Sequence, residues 1–445
     1  MLKKIRKNKL LKITSFNTLS VLIKLITGIL ISKIFALFLG PKGFALIGNL
    51  RNFMGFFLNI GTLSIEKGIV REASRNKENK EILSQILRTI LVSSLILSIL
   101  LSVIIIVFFD KLTQIILINQ NLRFIIITVA ITLPFFVLHT VIQSIINGIG
   151  SYKKVILINI LISISNPIII YILTLQFNIK GTLFAIAIMP ILFFFITLKT
   201  GYKKLKEYLI VSEKVSSSVL KKLGSYAIMY IPSAVMFPLL YIFIRNYITN
   251  NLGFEDAGFY EAMQRVSLNY MLFANSLLPL YLLPEIAPLS KKKEIFDKIV
   301  SFSKTFLPLF IIGLLLIFAF KNIVINILYT KEFNPISSLF KWQLLGDFFR
   351  FISLILVIVF HANKMVLTYV LTDTILVIFL GGFSIYFIDR FGVEGSVIAH
   401  FVSYVSYFII IILIFSFRVK SNFVNQHSKI DRPNENFLKG EKLNK

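Results

Sequence analysis

The chain contains no cysteine. Disulfides, zinc–thiolate centres and iron–sulfur clusters are therefore excluded, because each needs a cysteine sulfur. Acidic residues are few: 21 Asp and Glu stand against 48 Lys and Arg, a formal net charge of +27. The sequence has no Gly-x-x-x-x-Gly-Lys-[Ser/Thr] loop, so it lacks the usual cradle for a nucleotide triphosphate. The basic N-terminus (Lys3, Lys4, Arg6, Lys7, Lys9) is followed by an apolar run with no Ala-x-Ala-like cleavage site. It reads as an uncleaved first helix rather than a removable leader.

What is present is apolar. Hydrophobic residues make up 56% of the chain, with a mean hydropathy of +0.82. Soluble domains do not reach that value, since nearly half of their residues face water. At roughly 20 apolar residues per bilayer crossing, the length divides into spans. Apolar runs fall at 12–38, 43–66, 83–109, 121–146, 154–176, 181–199, 223–246, 257–284, 298–320, 335–361, 365–388 and 393–417. Twelve spans place both ends on one side of the membrane. The loops on that side hold 32 Lys and Arg, against 7 on the opposite side. Cytoplasmic loops collect such residues, so both termini are expected in the cytoplasm of a multi-pass protein. The asymmetry also accounts for most of the basic charge without nucleic acid. The polar tail 418–445 is expected to be disordered.

The two halves repeat with a period of about 211–215. Gly43-Phe44 and Arg51 in the second span answer to Gly258-Phe259 and Arg265 in the eighth. The fourth span ends near Asn147 with Lys153 following, and the tenth ends near His361 with Lys364 following. Six spans per half is an even number, so both halves enter the membrane in the same sense. They should be related by a pseudo-two-fold axis along the membrane normal. The expected architecture is all-α, with about twelve transmembrane helices in two six-helix bundles. These are a lobe over 1–200, a basic cytoplasmic linker over 201–222, a lobe over 223–417 and the tail.

Charged side chains near the bilayer centre are costly, so they face protein or water. Helical phase shows how they are grouped. Asn17, Ser20, Lys24 and Thr27 form a narrow polar seam on the first span. Arg51, Asn52, Asn59 and Glu66 line the second, Gln143 and Asn147 the fourth. Glu261 and Arg265 share a face of the eighth, Asp347 and Arg350 a face of the tenth, and Asp373 stands alone in the eleventh. A hydrated cavity between the lobes is the simplest common destination. Its cations modestly lead its acids, which suits an anionic ligand: Arg grips phosphate oxygens bidentately and Lys as a point charge. The spacings Glu261–Arg265 and Asp347–Arg350 equally suit local ion pairs. Glu66 and Asp373 are candidates for ion coupling. Lys33 is expected to snorkel to the interface. His139, His361 and His400 lie on different spans, and no metal or other cofactor is indicated. Pro232, Pro238, Pro279 and Pro284 mark either hinges or static bends.

The stretch from Gly40 to Arg51 (Gly-Pro-Lys-Gly-Phe-Ala-Leu-Ile-Gly-Asn-Leu-Arg) resembles the opening of the second helix in Wzx-type flippases. These are O-antigen translocases of the multidrug/oligosaccharidyl-lipid/polysaccharide (MOP) exporter superfamily. Tyr281-Leu282-Leu283-Pro284 and the run from Leu339 to Asp347 (Leu-Phe-Lys-Trp-Gln-Leu-Leu-Gly-Asp) are similar to segments of the lipid III flippases in that group. So are Lys24 and Lys33 in the first span. The resemblance covers nearly all of the chain except the tail. It implies an inverted-V transporter in a bacterial inner membrane. The implied substrate is an undecaprenyl-diphosphate-linked oligosaccharide, taken by alternating access from the cytoplasmic to the periplasmic leaflet. Membrane lipids surround such a protein, and a glycan polymerase of the same pathway is an expected neighbour. Peptidoglycan-precursor flippases of the superfamily use three cations in helices one, two and eight. Lys24, Arg51 and Arg265 are similar to these, with Lys where that family has Arg. A multidrug exporter of the superfamily is the first alternative, and should carry an acid-dominated cavity. A membrane glycan polymerase or ligase is the second, but no loop on the lightly charged side exceeds about 15 residues.

Overall fold

Nine helices among the described residues are long and apolar enough to cross a bilayer. The computed structural model describes residues 2–209, 215–289, 291–363 and 365–418. The first half runs through α1 (Leu2–Gly61), α2 (Glu66–Arg75), α3 (Lys80–Val107), α4 (Phe109–Ile116), α5 (Arg123–Gly148) and α6 (Tyr152–Leu209). The second runs through α7 (Ser217–Leu252), α8 (Phe254–Leu277), α9 (Leu283–Ile286), α10 (Lys292–Ala319), α11 (Lys321–Leu328), α12 (Phe340–Ala362), α13 (Val366–Phe391) and α14 (Val393–Arg418).

Two of the nine are too long to cross only once. The 60 residues of α1 would reach about 90 Å at 1.5 Å per residue, three times a hydrocarbon core of about 30 Å. The backbone turns back at Gly40, where φ is 59°. The 58-residue α6 turns at Asn178, φ 49°. Asn is among the few side chains that enter this left-handed region readily. Counted as two crossings each, α1 and α6 raise nine to eleven. The twelfth is α8, a more polar helix that carries Glu255, Asp256, Glu261 and Arg265. It crosses as a helix covered by protein: Glu261, Gln264, Arg265 and Ser267 are all buried.

The repeat is visible in the elements themselves. α3 and α10 each have 28 residues and begin 212 apart, at Lys80 and Lys292. α4 and α11 each have 8 residues at the same offset, Phe109 and Lys321. The left-handed turns at Gly40 and Gly253 lie 213 apart, and those at Asn178 and Gly392 lie 214 apart. Around the latter pair Phe177-Asn178-Ile179-Lys180-Gly181-Thr182 answers to Phe391-Gly392-Val393-Glu394-Gly395-Ser396. A Cβ on Gly181 would lie 1.9 Å from the Leu173 carbonyl oxygen, and one on Gly395 would lie 2.0 Å from that of Phe387. Both turns therefore close only on glycine.

Outward faces carry apolar stripes. α3 exposes Ile96, Leu100, Val103 and Val107, and α10 exposes Leu309, Ile312 and Leu316. Such spacing marks one helical face, here solvated by lipid. The halves meet on the lightly charged side, where the turns at Gly40 and Gly253 lie. Gly258 packs so tightly on Pro41 that a Cβ would stand 1.9 Å from the Pro41 carbonyl oxygen. Phe44 meets Tyr329 and Phe333 edge-on, with ring centres 5.5 and 5.0 Å apart. Lys33 does not snorkel. Its Nζ donates to the carbonyls of Asn326 (2.8 Å) and Tyr329 (2.6 Å), capping the C-terminal end of α11 across the two halves.

Some boundaries differ from the sequence reading. α2 lengthens the second span beyond Glu66, through a turn that holds Leu63 and Ser64 at φ 51°. Much of the expected linker 201–222 is helical, since α6 continues to Leu209 and α7 starts at Ser217; residues 210–214 lie outside the described residues. The tenth span begins at Phe340, because Lys331–Ser338 forms a 3₁₀ turn around Pro335. Pro279 sits in a π-helical turn, Leu278–Leu282, and Pro284 in the short α9 that follows. The tail beyond Arg418 lies outside the described residues.

Candidate functional site

Lys24, Arg51 and Arg265 come together. They line one cavity of about 460 Å³, enclosed by α1, α5, α6 and α8. No acidic residue lines it among the described residues; its other polar groups include Ser32, Ser163, Asn166 and Asn269. Eleven residues separate Arg51 from the turn at Gly40, and twelve separate Arg265 from Gly253. Both therefore root about 16–18 Å below the lightly charged face, near the bilayer centre. Lys24 precedes the same turn by sixteen residues, which places it about 24 Å deep, toward the basic face. The three cations are thus staggered along the cavity.

The two arginines are held differently. Arg265 donates from Nε to Glu261 Oε1 (3.0 Å), and its Nη2 is buried with no partner. Arg51 has no hydrogen bond or ion pair among the described residues. Both guanidinium carbons lie over the Phe35 ring, at 5.5 Å for Arg51 and 5.3 Å for Arg265. Glu261 is shared: its Oε2 accepts from Arg245 Nη2 at 2.5 Å. Arg245 and Arg265 therefore share one carboxylate and Arg51 nearby has none of its own among the described residues, leaving an excess of two positive charges at mid-membrane. An uncompensated buried charge is expensive, so this excess demands water or an anion.

Arg245 carries the network into the seal between the halves. Its Nη1 donates to Asn49 Oδ1 (2.7 Å), and Asn49 Nδ2 reaches the Ile116 carbonyl (3.0 Å) and Asn246 Oδ1 (2.8 Å). A continuous polar chain thus links Arg265 in the cavity to α4 at the lightly charged face.

A second cavity, of about 430 Å³, adjoins the first and shares Arg51, Arg265 and Leu268 with it. Asn52, Glu261, Arg350 and Asp373 line it, together with the rings of Phe237, Tyr241, His361, Tyr369, Tyr404 and Tyr407. Arg350 lies over the Tyr404 ring at 5.7 Å. Asp373 accepts from Ser233 Oγ (2.5 Å) and Tyr407 Oη (3.1 Å).

Several residues grouped by the sequence lie elsewhere. Asp347 is fully buried among α8, α12 and α14 and lines neither cavity. The Gln143 amide is taken by Asn159 (2.7 Å), and Asn147 is exposed near the end of α5. Asn59 donates to the Ala234 carbonyl (2.7 Å) and Glu66 accepts from Thr62 (2.7 Å), both beside a shallower pocket toward the basic face. The side chain of Asn17 lies outside the described residues. The sequence reading missed Phe35 and the tyrosines because it followed polar atoms alone. The signal was available: Phe35 is eleven residues from Lys24, three helical turns on the same face. Tyr369 precedes the flagged Asp373 by one turn, and Tyr241 precedes Arg245 by the same step.

Twelve crossings in two repeated halves around a divided, charged cavity define a membrane transporter. Solved structures share this fold. An inward-facing multidrug resistance transporter of the MATE family, in the MOP superfamily, superposes with a TM-score of 0.73 at 16% identity, covering 91% of this chain and 96% of that one. The lipid II flippase MurJ, in an inward closed conformation, gives 0.69 at 16% identity, covering 92% and 87%. In sequence, the lipid III flippase of Escherichia coli (strain K12) is 21% identical over 403 residues, 90% of this chain and 96% of its own. The family described as Polysaccharide biosynthesis protein matches residues 10–290, well over half of the sequence, and the chain belongs to that family.

Proposed function

We propose that the protein is a flippase for an undecaprenyl-diphosphate-linked oligosaccharide, an O-antigen repeat unit or a related surface-polysaccharide unit. It would carry the headgroup from the cytoplasmic to the periplasmic leaflet of a bacterial inner membrane. The observation that carries this reading is the cavity with Lys24, Arg51 and Arg265 staggered along it and no acid among its described lining residues. A diphosphate supplies the anion that the charge excess demands, and the lipid tail stays in the bilayer. The family membership and the names of the flippase relatives point the same way. The MATE fold would serve a multidrug exporter equally well, but the described residues of this lining offer a cationic drug no counter-charge. With the basic face toward the cytoplasm, the contacts at Gly258 and Lys33 seal the periplasmic side, and the halves rock to exchange that seal for one on the basic face.

Depletion of the protein in its own host tests the reading. A completed oligosaccharide-diphosphate lipid should accumulate in the cytoplasmic leaflet. Normal levels of finished lipid outside, with only polymerisation or ligation stopped, would overturn it in favour of an enzyme.

Orientation has its own test, simplified because there is no native cysteine to label. Lys42 and Arg75 are exposed on opposite faces. A membrane-impermeant maleimide should label Lys42→Cys in intact spheroplasts, and Arg75→Cys only after permeabilisation. The reverse pattern would place the termini outside.

A further inference from the structure

The second cavity differs in kind from the first. The first offers cations and no acid. The second offers both signs, through Arg350 and Asp373, and a wall of aromatic rings drawn from several helices. Tyr241 comes from α7, Tyr369 from α13 and Tyr404 from α14. Among the described residues the side chains of Asn52, Tyr241 and Tyr404 have no hydrogen-bond partner, although all three line the cavity. Free donors and acceptors beside flat apolar surfaces match a ligand with hydroxyl edges and C–H faces, which is the chemistry of a sugar ring. Tyrosine supplies both parts of that match, an apolar ring and a polar tip. Charged and amide side chains set among aromatic rings can fix the orientation of such a ligand.

We infer that the second cavity is the glycan subsite: sugar residues of the lipid-linked headgroup lie against Tyr241, Tyr369 and Tyr404, while the diphosphate remains on Arg51 and Arg265 at the shared wall. This rests on the flippase reading above. Continuity through the shared arginines is what allows one headgroup to occupy both cavities. The division assigns affinity for the carrier to the first cavity and discrimination among glycans to the second. A sugar hydroxyl lost from a built hydrogen-bond site leaves its partner unpaired, which is how such a wall selects.

The test measures binding to the purified full-length protein by native mass spectrometry with two probes. One is undecaprenyl diphosphate without sugar. The other is the oligosaccharide-diphosphate lipid extracted from depleted cells. In the wild type the oligosaccharide should tighten binding by about tenfold or more, as expected for a stacked ring and two or three hydrogen bonds. Tyr241→Ala should remove most of that gain and weaken binding of the sugarless lipid by less than about twofold. Tyr404→Phe, which deletes only a hydroxyl, should remove part of it. Arg51→Ala should weaken binding of both probes. If both tyrosine variants keep the full gain, or Tyr241→Ala weakens both probes equally, the glycan subsite is wrong and the diphosphate site stands. If Arg51→Ala changes neither probe, it is the flippase reading that fails.

Discussion

Charge reversal at Arg51 is expected to reduce translocation below detection. Among the described residues Arg51 has no hydrogen bond or ion pair, so its charge is available to a ligand, whereas Arg265 already shares Glu261. Losing one charged partner from a buried, hydrogen-bonded pair costs about 2–5 kcal/mol, so Arg51→Ala should weaken diphosphate binding roughly 30- to 5,000-fold. Arg51→Glu goes further. The new carboxylate would sit beside Arg265 and withdraw a second cation from the ligand. Arg51→Lys should retain part of the activity, because a lysine keeps the charge but not the bidentate grip. The measurement is the amount of oligosaccharide-diphosphate lipid held in the cytoplasmic leaflet of cells whose only copy is the variant. Membrane level and melting temperature of each variant are checked in parallel. Wild-type turnover in Arg51→Glu at normal protein level would show that the cavity does not hold an anion.

Much of this geometry was legible from the sequence. The bilayer imposes two strong constraints, a fixed apolar length and a cost for charge, and both leave marks in one dimension. The crossings and the six-plus-six repeat followed from the first. The meeting of Lys24, Arg51 and Arg265 followed from the second, since costly cations within the membrane have few places to go. What escaped was set by contacts between helices. The strongest repeat signal, Phe177–Thr182 against Phe391–Ser396, is a pair of turns, and its meaning depends on glycines pressed against carbonyl oxygens two turns away. Lys33 has the spacing of a snorkelling residue, and only the docking of α11 shows that it caps a partner helix. The aromatic lining of the second cavity comes from α7, α12, α13 and α14, a grouping to which hydropathy is blind.

Asp347 shows the limit most sharply. Its spacing to Arg350 fitted either a local pair or a cavity acid, and its place is instead a fully buried junction. It accepts from Ser267 Oγ (2.6 Å), Tyr270 Oη (2.5 Å) and Gln343 Nε2 (3.0 Å). His400 Nε2 lies 3.2 Å away and Arg350 Nη1 3.5 Å away. These partners belong to α8, α12 and α14, so one carboxylate ties three crossings of the second half together. Asp347→Ala is expected to cost about 3–5 kcal/mol, because it leaves four buried or half-buried polar groups and a half-buried arginine without their acceptor. That is a large share of the roughly 5–15 kcal/mol that holds a typical fold. Asp347→Asn, nearly the same shape without the charge, should fall between. The single tryptophan is well placed to report the change: Trp342 lies on α12, donates to Glu394 at 3.1 Å and packs on Phe401 of α14 with ring centres 5.5 Å apart. Purified Asp347→Ala should melt at a lower temperature in detergent, with its Trp342 emission shifted toward that of a solvent-exposed indole. Unchanged melting and emission would mean that the junction is not a structural anchor, and Asp347 would return to consideration as a residue of the transport path.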